Sequence, residues 1–314
     1  MTELLKPPSA AVGVKAAVIS PASTPEQARV ERGMEALEQL GFEPVAARHA
    51  LTRGPLYFAG TEEQRLKDLN DALADDAVRV VFATRGGYGS NYLLEGLDLD
   101  LVAAHPKPIF GYSDLTAVQV ALLDTLGLPS FYGPMVSPDF ARENGVHLSS
   151  LLAALAGEPY TVGNREGMKL LRASHEARPV RGTLYGGCLS ILVSLLGTAW
   201  EPQTEGKLLF LEDVSAKPYQ VDRMLWQLLQ AGKLDGVKGI VFGEMLDCVS
   251  PGAKPDLIED VILQALAEFD GPIAFGLRSG HVSEGNVTLT LGVEAELTSG
   301  LEPQLRMLEA AVER

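Results

Sequence analysis

Gly111-Tyr112-Ser113-Asp114 follows the apolar run Pro108-Ile109-Phe110 and precedes residues 115–122, which read as a helix. A serine at a sharp strand-to-helix turn presents its hydroxyl with helix amides beneath it, the layout of a nucleophile elbow. Free N–H groups and the partial positive charge of a helix start stabilise negative charge developing beside that hydroxyl. Ser113 or Asp114 as a plain helix cap fits the same letters, so partners elsewhere must decide. A serine nucleophile needs a base to take its proton, and the base needs a group that fixes its tautomer.

His281 stands in the loop RSGHVSEGN (278–286), directly after the apolar run 272–277, and Glu212-Asp213 closes the run KLLFLED (207–213). If strands 207–212, 237–243 and 272–277 are parallel, their C-terminal ends share the sheet edge where open α/β sheets place their sites. Glu212 and His281 then emerge together, in the chain order Ser…Glu…His also used by α/β-hydrolases. Asp114, Asp213, Asp247 and Glu284 are rival carboxylates. His49, His105, His147 and His175 are less well placed for the base. Arg85-Gly86-Gly87-Tyr88-Gly89 follows another strand, and its bare amides could approach a ligand or an oxyanion. A structural tight turn suits it equally. Dinucleotide binding is disfavoured, because Tyr92 occupies the third glycine position of the G-x-G-x-x-G pattern.

These residues require elements to carry them. Apolar strands at 14–20, 42–46, 78–84, 108–111 and 128–133 alternate with helices at 25–40, 61–75, 91–97 and near 147–156, Thr61 capping the second. The alternation predicts an α/β fold: an N-terminal, doubly wound, mostly parallel sheet domain. A C-terminal α/β domain with a β-rich end follows. It has helices at 186–198, 219–232 and 255–269, a half-exposed β segment at 287–297, and a last stretch, 303–312, that fits a short strand or a helix, with strand preferred. Residues 157–182 are polar and aperiodic, which predicts domains at 1–157 and 179–314 with a linker at 158–178.

The chain has 314 residues, 46% of them hydrophobic, and a formal net charge of −15. Without clustered Lys and Arg, a nucleic-acid partner is not expected. Cys188 and Cys248 are too few for a disulfide framework or a zinc site. The N-terminus has no basic n-region, and no apolar run approaches the ~18 residues of a membrane span. A cytoplasmic protein with no membrane partner is the expectation.

Several separated motifs resemble the LD-carboxypeptidase family of serine peptidases, which includes the microcin C immunity peptidases. They are LLKPP near the start, ISPAS (19–23), ATRGGYGS (83–90), FGYSDLTA (110–117), GGCLSILVSLLGT (186–198), LLFLEDVSAKPYQVDRMLWQL (208–228) and GHVSEGNVTLTLG (280–292). The resemblance implies a Ser113–His281–Glu212 triad and an oxyanion hole from the amides of Asp114 and the Gly86-Gly87 turn. It further implies a homodimer, no metal or organic cofactor, and cleavage before the terminal D-Ala of muropeptides. An aminoacyl-nucleotide substrate, as for the immunity peptidases, is the alternative; a non-catalytic small-ligand-binding α/β module is another. The chain departs from the family pattern at Gly186-Gly187-Cys188, where Gly-Gly-Asn is usual, at Leu277-Arg278-Ser279, and at Ser90-Asn91-Tyr92. For a peptide substrate's terminal carboxylate, Arg85 and Arg278 are the candidate partners.

Overall fold

A computed structural model describes residues 4–11, 13–174, 178–254 and 256–313. The first half runs β1 (Lys15–Ile19), α1 (Gln27–Gln39), β2 (Glu43–Ala46), α2 (Glu62–Ala74) and β3 (Val78–Ala83). It continues through α3 (Leu99–Ala104), β4 (Ile109–Gly111), α4 (Thr116–Leu126), β5 (Ser130–Tyr132) and α5 (Leu148–Ala156). Thr61 caps α2 in a reciprocal box with Gln64, as the sequence predicts. Residues 91–97, expected to be helical, form a 3-10 turn spanning Ser90–Gly96.

The five strands lie parallel in the order β2-β1-β3-β4-β5. Strand order reverses between β1 and β3, and loops diverging there leave a crevice at the C-terminal strand ends. The register sets Phe82 beside Phe110 and Phe110 beside Phe131. Their rings stack with centroids 4.9 Å apart in both pairs, fully buried. This aromatic ladder anchors β4 just before the serine turn.

The second half begins with β6 (Thr161–Gly163), β7 (Lys169–Arg172), β8 (Val180–Cys188), α6 (Leu189–Ser194), β9 (Lys207–Glu212) and α7 (Pro218–Gln230). It ends with β10 (Gly239–Gly243), α8 (Leu257–Ala265), β11 (Ile273–Leu277), β12 (Leu289–Leu291), β13 (Glu294–Leu297) and β14 (Gln304–Met307). An eight-stranded sheet has β8-β9-β10-β11 parallel at its centre and antiparallel strands outside. The parallel arrangement assumed for 207–212, 237–243 and 272–277 is present.

Three expectations are corrected. Residues 158–178 are not a bare linker: β6 and β7 close the two ends of the second sheet. Edge strands this short and polar carry too few apolar residues to show a period. Gly186, Gly187 and Cys188 end β8 instead of opening a helix, and only residues 189–194 are helical. Both glycines sit at positive φ, +131° and +136°, a backbone path closed to most side chains.

The segment 287–297 is two strands, mostly buried, in two sheets. β12 pairs antiparallel with β5 in the first sheet, while β13 pairs with β8 in the second. The boundary at 179 is therefore crossed, since residues 289–291 complete the N-terminal sheet. One cluster of buried side chains runs from Ala17 through Tyr132 to Phe210 and Met307, so the halves share a core.

Candidate active site

Ser113 occupies the turn between β4 and α4 at φ +63°, the left-handed region. For a residue with a Cβ this conformation costs about 1–2 kcal/mol, and the surrounding structure must hold it. Its N–H donates to the Tyr132 hydroxyl at 3.3 Å. The loop after β3 crosses directly over it. A Cβ on Gly86 would stand 2.7 Å from Ser113 Cβ and 2.9 Å from its Oγ, so only glycine permits the approach. The loop is pinned from behind. Buried Arg65 donates to the carbonyls of Pro21 and Gly89 at 2.8 and 2.6 Å, and Tyr88 N–H donates to Ser23 Oγ at 3.1 Å.

His281 Nδ1 donates to Glu212 Oε2 at 2.8 Å, and its backbone N–H donates to the same oxygen at 3.1 Å. The other oxygen, Oε1, accepts from Tyr132 Oη at 2.5 Å. Glu212 has no exposed surface. Burial opposes its charge, but the His281 charge and these donors outweigh it and hold the carboxyl below its ordinary pKa. Burial likewise opposes charging His281, yet the Glu212 charge and hydrogen bond, with Asp213 and Asp139 behind, raise its pKa above the usual value. An Nδ1 committed to a carboxylate leaves Nε2 as the nitrogen able to accept a proton.

Ser113, His281, Gly86, Gly87, Arg85 and Tyr112 line one cavity of about 230 Å³, with Glu26 and Arg29 at its rim. It lies at the crevice where the first sheet's strand order reverses. Among the described residues no hydrogen bond joins Ser113 Oγ to His281; such contacts commonly tighten only with substrate bound. Asp114 turns its carboxylate away, accepting from Ser90 N–H at 2.7 Å, and burial raises its pKa. Its backbone amide stays at the elbow. Asp213 accepts from Ser190 and Val214 N–H groups, Glu284 lies 3.9 Å from Arg278, and Asp247 does not line the cavity. His49 pairs with Asp68 and His105 with Asp76, and His147 bonds Ser150. His175 lies outside the described residues.

Arg278 is a correction. It does not line the cavity; its guanidinium donates to the Arg165 carbonyl at 2.7 Å. Arg85 does line it. Sequence reasoning missed Glu26 and Arg29, whose only signal was a position in the loop and first turn after β1. It also missed Tyr132, although a tyrosine ending a buried strand needs a hydroxyl partner and so hints at one.

Asp139 was missed with no sequence signal. Buried, it accepts from Met135 N–H at 2.9 Å and shares a hydrogen bond with Tyr112, whose ring meets the His281 ring edge-on at 5.0 Å. Burial lifts Asp139 to about 6. Cys188 and Cys248 are buried free thiols off the cavity. Among the described residues no group of three or more His, Cys, Asp or Glu is arranged to hold a metal ion, and no helix is long and apolar enough to cross a membrane.

A hydroxyl on a strained turn, an imidazole held by a buried carboxylate, and backbone amides around one cavity are the parts of a hydrolase built for nucleophilic acyl transfer. Residues 16–133 match the LD-carboxypeptidase N-terminal domain and residues 181–297 the LD-carboxypeptidase C-terminal domain. The chain belongs to the LD-carboxypeptidase family, a family of peptidases. It is 34% identical to the probable murein peptide carboxypeptidase of Bacillus subtilis strain 168, over 98% of this chain and 95% of the relative. A muramoyltetrapeptide carboxypeptidase from Oxalobacter formigenes superimposes with TM-score 0.82 at 29% identity, over 95% and 99% of the chains. The microcin C7 self immunity protein MccF, in complex with aspartyl sulfamoyl adenosine, does so with TM-score 0.88 at 25% identity, over 98% and 99%.

Proposed function

We propose that this protein is a serine carboxypeptidase that cleaves the LD-amide bond before the terminal D-Ala of muropeptides, as part of cytoplasmic wall recycling. The observation that carries it is the convergence of strained Ser113 and Glu212-backed His281 on one cavity lined by Gly86 and Gly87. Ser113 Oγ attacks the scissile carbonyl while His281 Nε2 takes its proton. The tetrahedral oxyanion is held by the amides of Asp114 and the Gly86-Gly87 turn, Gly87 being the loop donor. The Ser113 amide is already given to Tyr132. His281 returns the proton to the leaving amine, and D-Ala departs. Water, deprotonated by His281, then opens the acyl-enzyme. Glu212 keeps His281 in the Nδ1–H tautomer and stabilises its cation. Arg85, exposed at the cavity, meets the terminal carboxylate of the substrate.

Ser113→Ala tests this. Release of D-Ala from muropeptide tetrapeptide should fall by about 10⁴–10⁶ with folding unchanged; retained turnover refutes the assignment. The second reading, an aminoacyl-nucleotide hydrolase, is favoured by the MccF superposition. Wild-type enzyme that hydrolyses an aminoacyl-sulfamoyl nucleotide but leaves the tetrapeptide intact would select it.

A further inference from the structure

Tyr132 joins the two halves of the site through one atom. It ends β5 in the first sheet, next to β4 and its serine turn, whereas Glu212 ends β9 in the second. The Tyr132 ring is fully buried and packs edge-on against Phe210 of β9, centroids 5.5 Å apart. The directions of its hydrogen bonds are forced. An ionised carboxylate can only accept and a backbone N–H can only donate, while a phenol does both. Tyr132 Oη therefore gives its single proton to Glu212 Oε1 and takes the Ser113 N–H on a lone pair. Burial, followed by the Glu212 charge, pushes the Tyr132 pKa far up, so the proton stays on the phenol at any working pH.

We propose that Tyr132 is a positioning residue that sets the nucleophile and the base's carboxylate against each other across the two sheets. Its donation occupies Glu212 Oε1, so Oε2 alone faces His281. Its acceptance fixes the strained Ser113 backbone and directs the oxyanion to the neighbouring amides. It also spreads the Glu212 charge, which tunes how tightly His281 binds a proton. A phenylalanine would leave a buried anion one charge-assisted hydrogen bond short. The carboxylate then pairs harder with protonated His281, and the His281 pKa rises further.

This inference rests on the Ser113–His281–Glu212 reading above, so its test includes a substrate-independent arm. The pH dependence of fluorophosphonate labelling at Ser113 is measured beside D-Ala release from muropeptide tetrapeptide. In Tyr132→Phe, kcat should drop about 10- to 100-fold with KM within about threefold. The acid limb of both profiles should move up by roughly half a unit or more. Replacing Tyr132 alone with 3-fluorotyrosine, a stronger donor of almost the same size, should move that limb down. It remains informative if the phenylalanine variant folds poorly. Activity scaled equally at every pH in Tyr132→Phe, or an unmoved limb with fluorotyrosine, overturns the proposal. Undiminished labelling of Ser113→Ala would instead refute the underlying nucleophile assignment.

Discussion

Residues 108–116 and 278–286 deliver the proposed nucleophile and base by different physical means. In the first stretch the geometry is local. A buried phenylalanine ladder fixes β4, the next four residues turn through a positive φ at Ser113, and α4 follows directly. In the second stretch the loop is held by one local brace and several contacts to distant segments. The Arg278 N–H reaches the Glu166 carbonyl, Asn286 braces Gly280 on both sides, and Arg142 donates to the carbonyls of Val282 and Ser283. The N–H groups of Gly285 and Asn286 then donate to Asn144 and Gly145 of the first half. The nucleophile's turn is thus shaped mostly within one short stretch and held by Tyr132, and the base's loop mostly by contacts with distant segments. On the proposed mechanism, Ser113 therefore acts only where residues 278–286 are docked against the first half.

The largest way to break this contrast is to remove the carboxylate that the loop closes upon. Glu212→Gln should lower kcat/KM by about 10⁴, because the imidazole loses its tautomer partner. The pH profile gives the sign. In the wild type the raised His281 pKa places the acid limb above the ordinary ~6.5, so activity is lost as pH falls through that limb. Without the negative charge, the residual activity should show its limb at lower pH. A limb that stays put would mean that Glu212 does not set the base.

Smaller effects should separate the two regions by what else they disturb. Gly86→Ala pushes a Cβ onto the Ser113 side chain, in a loop whose neighbours Arg85, Gly87 and Tyr88 are exposed, so kcat should fall about 10²–10³ while Tm stays within a few degrees. Gly280→Ala places its Cβ 2.6 Å from Glu212 Cδ, at φ +87° and in a fully buried surround. Nothing there can yield. It should cost stability of roughly 1–3 kcal/mol as well as activity, read by thermal melts beside turnover. Equal loss of Tm in both variants would erase the distinction between a local and an assembled half.

The same distinction explains what was legible in the sequence. Strand–helix alternation, the Thr61 cap, the serine turn and the Glu212 and His281 strand ends all rest on short-range pattern, and the structure reproduces their placement. What escaped depends on long-range pairing. The short edge strands β6 and β7 and the split of 287–297 between two sheets carry no periodic signature. Asp139 gains its environment from Tyr112 and Asn286, which lie 27 and 147 residues away in sequence. The misplacement of Arg278 has the same origin. Guanidinium chemistry alone made Arg278 a candidate, but a side chain's direction is decided by what packs behind it.

Arg278 consequently supplies the smallest predicted effect and the most discriminating one against Arg85. Both arginines sit within a few residues of site residues, Arg85 beside Gly86 and Arg278 three before His281. Arg85 is exposed and lines the cavity, so Arg85→Ala should raise KM about tenfold with kcat changed little. Arg278 is tied to the Arg165 carbonyl and faces Glu284, outside the cavity. Arg278→Ala should leave KM within about twofold and, by loosening the loop's attachment, at most lower Tm slightly. A KM rise in Arg278→Ala equal to that of Arg85→Ala would show that the loop turns its arginine inward when substrate arrives. The base's half of the site would then be assembled by ligand and not by the fold alone.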